Sequence, residues 1–254
     1  MPDNIIITPY FLDEYLPELE TLPFASSTLN HGISTEGDLQ LRISSLYPPL
    51  ADFVHQSLIK KQRPVSIAGD CCATIAVMAG IQRVNMDVTF IWIDAHGDFN
   101  TPETSPSGFL GGMPLAMIAG LGDLSLCKSV DLKPVSNKKI LLADARDLDP
   151  GEAELVKASK LLHLKNFMTL TTMDIPKGPL YVHFDTDIIN CDDASAFNYP
   201  VPGGPSASEV TAAMKHLGQT GQVVAASMSS WAPRLDKDGQ TKNKCMAAFK
   251  ALLA

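Results

Sequence analysis

The residues best placed to do chemistry sit in three short runs. "FIWIDAHGDFN" carries Asp94, His96 and Asp98 at every second position, "YVHFDTDIIN" carries Asp185 and Asp187, and "SIAGDCC" carries Asp70 and Cys71. In extended backbone, side chains two apart point the same way. Asp94, His96 and Asp98 can therefore converge, and so can Asp185 with Asp187. Four carboxylates in one crevice repel one another unless cations neutralise them. Oxygen-rich ligation with one imidazole suits Mn²⁺, and two such ions about 3.5–4 Å apart form a hydrolytic centre. A lone D-x-D or D-x-H is as readily a solvated turn, and Cys71 alone reads as a small core residue. It is the repetition of the pattern, each time closing an apolar strand, that points to metal.

Those runs need elements to hold them. The chain alternates strand and helix. "IIITPYFL" reads as a strand, and "DLQLRISSLYPPLADFVHQSLIKKQ" as a helix interrupted near Pro48-Pro49. "PVSIAG", the apolar "DVTFIWIDA", "KKILLADAR", "PLYVHFDTD" and "QVVAASMSSW" read as further strands. Helices are expected at "TIAVMAGIQ", "MPLAMIAGLG", "GEAELVKASKLLH", "SEVTAAMKHLG" and "KCMAAFKALL", with Ser206 and Glu209 spaced as a capping box. This alternation predicts one doubly wound α/β domain over residues 1–254, with ligands at the carboxyl ends of its strands. "GFLGGMPLAMIAG" lacks the spacing and the lysine of a phosphate-binding loop, and no G-x-S-x-G elbow is present.

Composition narrows the classes. The chain has 254 residues, 45% of them hydrophobic and 19% charged, and a formal charge of −8. That charge argues against nucleic acid or an anionic membrane as partner. No apolar stretch approaches the roughly 20 residues of a membrane span. Acidic residues stand near the start, where a leader would carry basic ones, so a cytoplasmic location is expected. Five cysteines without C-x-x-C spacing fit neither a disulfide framework nor a zinc finger. Cys72, Cys127, Cys191 and Cys245 are expected to be plain buried thiols.

At D-A-H-x-D and F-D-x-D, the chain resembles the ureohydrolases (arginase, agmatinase and formimidoylglutamase) from roughly residue 60 to residue 235. The resemblance implies a three-layer αβα fold with a mostly parallel sheet and a pair of manganese ions hydrolysing a guanidino or related group. Carried over, Asp94 and Asp185 bridge the metals, Asp98 completes the first site, and His96 and Asp187 complete the second. Asp187 also orients the attacking hydroxide. "DFNTPETSPSGFLGG" is similar to the arginase loop that binds an amino acid's α-carboxylate, here through Asn100 and Ser107. "ARDLDPGEAE" is similar to the arginase segment near the α-amino group, here with Asp149 and Glu152. A small guanidino amino acid is the implied substrate.

Three departures shape the expectation. Cys71 stands where the family has a metal-binding histidine, Gly111 where arginase has a proton-shuttling histidine, and Ser230 where arginase has a glutamate facing the guanidinium. A Cys71 thiolate makes the cluster about one charge more negative than an imidazole would, which weakens its Lewis acidity and leaves Zn²⁺ or Fe²⁺ open beside Mn²⁺. Losing the histidine removes a general acid usually worth about 10²–10⁴-fold. Losing the glutamate at the Ser230 position removes a carboxylate partner, which disfavours a fully cationic guanidinium and suits a less basic, N-hydroxylated one. The combination resembles the Nω-hydroxy-L-arginine amidinohydrolase branch, whose products are hydroxyurea and L-ornithine in antibiotic (D-cycloserine) biosynthesis. The rival expectations are a hydrolase of another amidine and a non-catalytic relative that binds an amino acid or a protein. The sequence reaches "AAFKALLA" without the long tail that helps arginases trimerise, so a monomer is expected.

Overall fold

A computed structural model describes residues 1–254. In chain order the strands are β1 (Asp3–Thr8), β2 (Tyr10–Phe11), β3 (Glu14–Tyr15), β4 (Thr28–Leu29), β5 (Arg63–Ala68), β6 (Thr89–His96), β7 (Ile140–Asp147), β8 (Leu162–Leu164), β9 (Leu180–Asp185) and β10 (Val223–Ser229). Eight of them form one sheet in the order β4-β1-β5-β10-β9-β6-β7-β8, with every neighbouring pair parallel. β2 and β3 form a small antiparallel hairpin beside it.

Helices cover both faces, as a parallel sheet requires. α1 (Leu39–Ser44), α2 (Tyr47–Ile59), α3 (Thr74–Gln82), α4 (Pro114–Ile118), α5 (Ser125–Lys128) and α6 (Pro150–Ser159) contribute to the core on one face. α7 (Ala207–Gln219) and α8 (Gln240–Leu253) build the core on the other. β6 feeds both: Phe90 and Trp92 enter the first core, Ile91 and Ile93 the second. Burying each such side chain is worth about 1.5–3 kcal/mol. The alternation carries on to Asp94, so a one-residue slip would turn that carboxylate toward the opposite helix layer.

The expected strand over residues 5–12 breaks at Pro9, which has no N–H to continue the ladder, and Tyr10–Phe11 turns away as β2. The long helix is interrupted at Ser45-Leu46 rather than at the prolines. Pro48 and Pro49 instead fall in the first turn of α2, where a missing N–H costs nothing. The helix expected over 151–163 stops at Ser159. Lys160 turns left-handed (φ 57°), and Leu162–Leu164 becomes the edge strand β8. The capping box forms as expected: Glu209 N–H donates to Ser206 Oγ, and Ser206 N–H to Glu209 Oε2. No helix is long and apolar enough to cross a membrane.

Candidate metal centre

β5, β10, β9 and β6 lie side by side, and their carboxyl ends open into one cavity of about 510 Å³. Its walls carry Cys71, Asp94, His96, Asp98, Asp185 and Asp187, all six of the expected metal-binding residues. Cys72 is not in that wall; it is buried, with its thiol toward the Leu110 carbonyl. Close approach creates this bend. A Cβ at Gly69 would lie 2.3 Å from the Tyr10 carbonyl oxygen, so only glycine lets β5 turn there. Asp70 then fixes the turn by accepting N–H bonds from Cys72 (2.8 Å) and Leu12 (2.5 Å).

Asp94, His96 and Asp187 converge most tightly, each offering a ligand atom within 4.8 Å of the other two. His96 Nδ1 lies 3.2 Å from Asp187 Oδ2 and 3.4 Å from Asp94 Oδ1. Asp98 arrives differently. β6 ends at His96, and Asp98 sits in the loop beyond with left-handed backbone (φ 46°), so the loop aims it rather than strand alternation. Asp185 accepts from Asp187 N–H (3.1 Å), Ser229 Oγ (3.0 Å) and Ser230 Oγ.

Burial and mutual repulsion dominate the electrostatics. Burial, then Cys71 and Asp94, hold the Asp98 carboxyl well above the usual range. Burial, then Asp187 and Asp94, do the same to Asp185, and burial with Asp94 raises Asp187. Burial pushes His96 down, but Asp187 and Asp94 outweigh it and lift the imidazole to about 12. Cys72 and burial push the Cys71 thiol up. Asp98 Oδ2 and Asp187 Oδ1 are buried without any hydrogen-bond partner. Such orphaned, like-charged oxygens need a cation. An imidazole, a thiol and four carboxylates form a donor set that fits divalent metal.

The remaining expected residues, Asn100, Ser107, Asp149 and Glu152, line the same cavity. Asn100 Nδ2 donates to Asp149 Oδ2 (2.9 Å), and Thr104 Oγ1 donates to Asn100 Oδ1 (3.0 Å). Ser107 is exposed at the rim, where its Oγ accepts from Phe109 N–H. Glu152 spends both oxygens on backbone, accepting from Phe99 N–H (2.8 Å) and Asp149 N–H (3.1 Å). Burial lifts its carboxyl to about 7. It braces the loop that carries Asp98 and Asn100.

Several wall residues escaped sequence reasoning. Asp147, paired with His96 across β6 and β7, lines the cavity; its signal was the first Asp of "RDLD". Phe11, Phe109 and Tyr199 line it too, from three distant segments with no shared motif. Gly111 and Ser230 both lie in the wall; Ser230 is left-handed (φ 70°), a strain typical of functional positions. No lysine or arginine lines the cavity. Arg146 lies outside the wall: its Nη1 pairs with Asp144 (2.6 Å) and also donates to the Ile188 carbonyl, while Nη2 and Nε donate to those of Val201 and Pro202. Of the thiols expected to be plain and buried, Cys72, Cys127 and Cys245 are, whereas Cys191 is half-buried.

The Arginase family model matches residues 13–253. The chain belongs to the arginase family. It is 32% identical over 216 residues to the arginase of Bacillus subtilis (strain 168), spanning 80% of this chain and 73% of that protein. It is 30% identical over 156 residues to the N(omega)-hydroxy-L-arginine amidinohydrolase of Streptomyces lavendulae, spanning 60% of this chain and 55% of that protein. The crystal structure of arginase from Bacillus subtilis superposes with a TM-score of 0.84 at 26% identity, covering 100% of this chain and 99% of that one. Arginase-family proteins are metal-dependent hydrolases of guanidino or amidine C–N bonds, and the parallel αβα architecture is theirs.

Proposed function

We propose that this arginase-family hydrolase cleaves Nω-hydroxy-L-arginine to hydroxyurea and L-ornithine. The observation that carries the reading is the pair of wall positions Gly111 and Ser230. The first has no side chain to shuttle a proton, and the second has a hydroxyl committed to Asp185. A full guanidinium thus finds neither a dedicated acid nor a facing carboxylate at those points. The partial likeness to the Streptomyces lavendulae amidinohydrolase supports the same substrate.

Asp94 and Asp185 would hold two manganese ions between them, with Cys71 and Asp98 on one ion and His96 and Asp187 on the other. Bound ions supply the Lewis acidity that makes water a nucleophile near neutral pH. Water adds its oxygen to the guanidino carbon, the bond from that carbon to the ornithine nitrogen breaks, and the protons of water are shared between the two products. Asp187, anchored by His96, orients the nucleophile. Asn100, Ser107 and Asp149 hold the amino-acid end, and Glu152 braces them, so that binding becomes orientation.

The test is product analysis with Mn²⁺ present. Hydroxyurea from Nω-hydroxy-L-arginine should far exceed urea from L-arginine under matched conditions; comparable efficiency on the two would refute the narrow substrate. That second outcome corresponds to a plain arginase, the name borne by the Bacillus subtilis relative.

A further inference from the structure

Three aromatic rings in a row also line the cavity. Phe109 stacks against Phe11 (centroids 6.3 Å, interplanar angle 19°) and tilts against Tyr199 (5.1 Å, 48°). Phe11 comes from β2, Phe109 from the loop before α4, and Tyr199 from the loop before α7, and all three line the cavity. The middle ring is therefore held from both sides.

The ring of Phe109 closes on Gly111. A Cβ at position 111 would lie 2.4 Å from Phe109 Cε1 and 2.7 Å from Cζ, well inside contact distance. The backbone there is also tied to the metal-binding wall, since Cys71 Sγ donates to the Gly111 carbonyl (3.2 Å). The glycine at 111 and the ring at 109 are thus one device. The ring occupies the volume that a side chain at 111 needs, immediately beside Cys71.

We propose that Phe109, wedged between Phe11 and Tyr199, is the specificity-determining residue of this site, excluding any side chain at 111 and selecting N-hydroxylated over cationic guanidines. The inference deepens, and rests on, the hydrolase reading above. An apolar ring filling that space offers a full guanidinium neither a hydrogen bond nor a counter-charge, so it disfavours the cation more than a neutral N-hydroxyguanidine. The ring also excludes water beside the reacting end. Position 111 is accordingly not free to regain a histidine while Phe109 stands.

A double-mutant cycle over 109 and 111 tests this on two readouts. The first is thermal unfolding of the metal-loaded protein: Gly111→His alone should lower Tm, and combining it with Phe109→Ala should recover most of that loss. The second is the ratio of hydroxyurea release to urea release from the two arginines. Phe109→Leu, which keeps an apolar filler should the alanine variant fail to fold, should lower that ratio at least tenfold, and F109A/G111H should lower it further. Additive Tm effects, or a ratio in Phe109→Leu within twofold of wild type, would overturn the proposal. Absence of hydrolysis of either arginine by the loaded wild-type protein, with the Tm coupling intact, would refute the hydrolase reading and the selectivity claim with it, yet leave the 109–111 packing established.

Discussion

Two adjacent cysteines do opposite things. Both are buried, but Cys71 lines the cavity with Asp98, while Cys72 stays out of it with its thiol toward the Leu110 carbonyl. Cys71→Ala should therefore lose one metal ion per chain with little change in the stability of the metal-free protein. Cys72→Ala should keep both ions and cost about 1 kcal/mol of packing. Elemental analysis beside denaturant unfolding separates the two; equal metal loss in both variants would reject the assignment. This division was legible in the sequence because it is local: the step after Gly69-Asp70 sets which thiol closes the strand. The mouth of the cavity was not. Phe11, Phe109 and Tyr199 meet only through tertiary folding, and nothing in a stretch such as "AFNYPVP" marks Tyr199 as a wall of the site. Glu152 reads in the sequence as a contact for an amino group, yet both its oxygens hold backbone N–H groups, a fact only the loop's path reveals.

At the scale of elements, β6 and β9 present Asp94 and Asp185 through a matched support. Trp92 and His183 are register partners whose rings lie 4.2 Å apart. Trp92 Nε1 donates to Asp94 Oδ2 (2.9 Å), and His183 meets Ser227 (2.9 Å) and, more distantly, Ser229, which donates to Asp185. Burial pushes His183 down to about 3, so it serves as a neutral hydrogen-bonding strut. Groups behind a metal ligand typically govern about 10–100-fold in metal affinity. Trp92→Phe, which keeps the apolar volume and removes the donor, should weaken metal binding by about that factor. Titration calorimetry checks it, and unchanged affinity would show that Asp94 needs no such brace. The strands themselves were legible, because long apolar runs ending in carboxylates leave few other readings. The short pieces were not. Lys160 ends its helix without glycine or proline, and "LHL" has no length from which to show a period of two.

For the whole molecule, the charge gathered at one end of the sheet sets how stability depends on pH. In the metal-free protein Asp98, Asp185, Asp187 and Glu152 all have raised pKa values, Glu152 reaching about 7 from an ordinary 4.5. A raised carboxyl binds more protons folded than unfolded, so its contribution is full below the unfolded value and is lost as pH climbs through the folded one. The metal-free protein should accordingly be more stable near pH 5 than near pH 8. Bound divalent ions, which favour the ionised carboxylates, should flatten or reverse that slope. Thermal melts across this range, with and without chelator, test the sign. A metal-free melt that rises with pH would contradict it.

The most direct measurement is the metal inventory of the wild-type chain, by elemental mass spectrometry after reconstitution and desalting. Two divalent ions per chain are expected, falling to one in Cys71→Ala. One ion or none in the wild type, or two retained in the variant, would contradict the sulfur-containing pair on which the proposed chemistry stands.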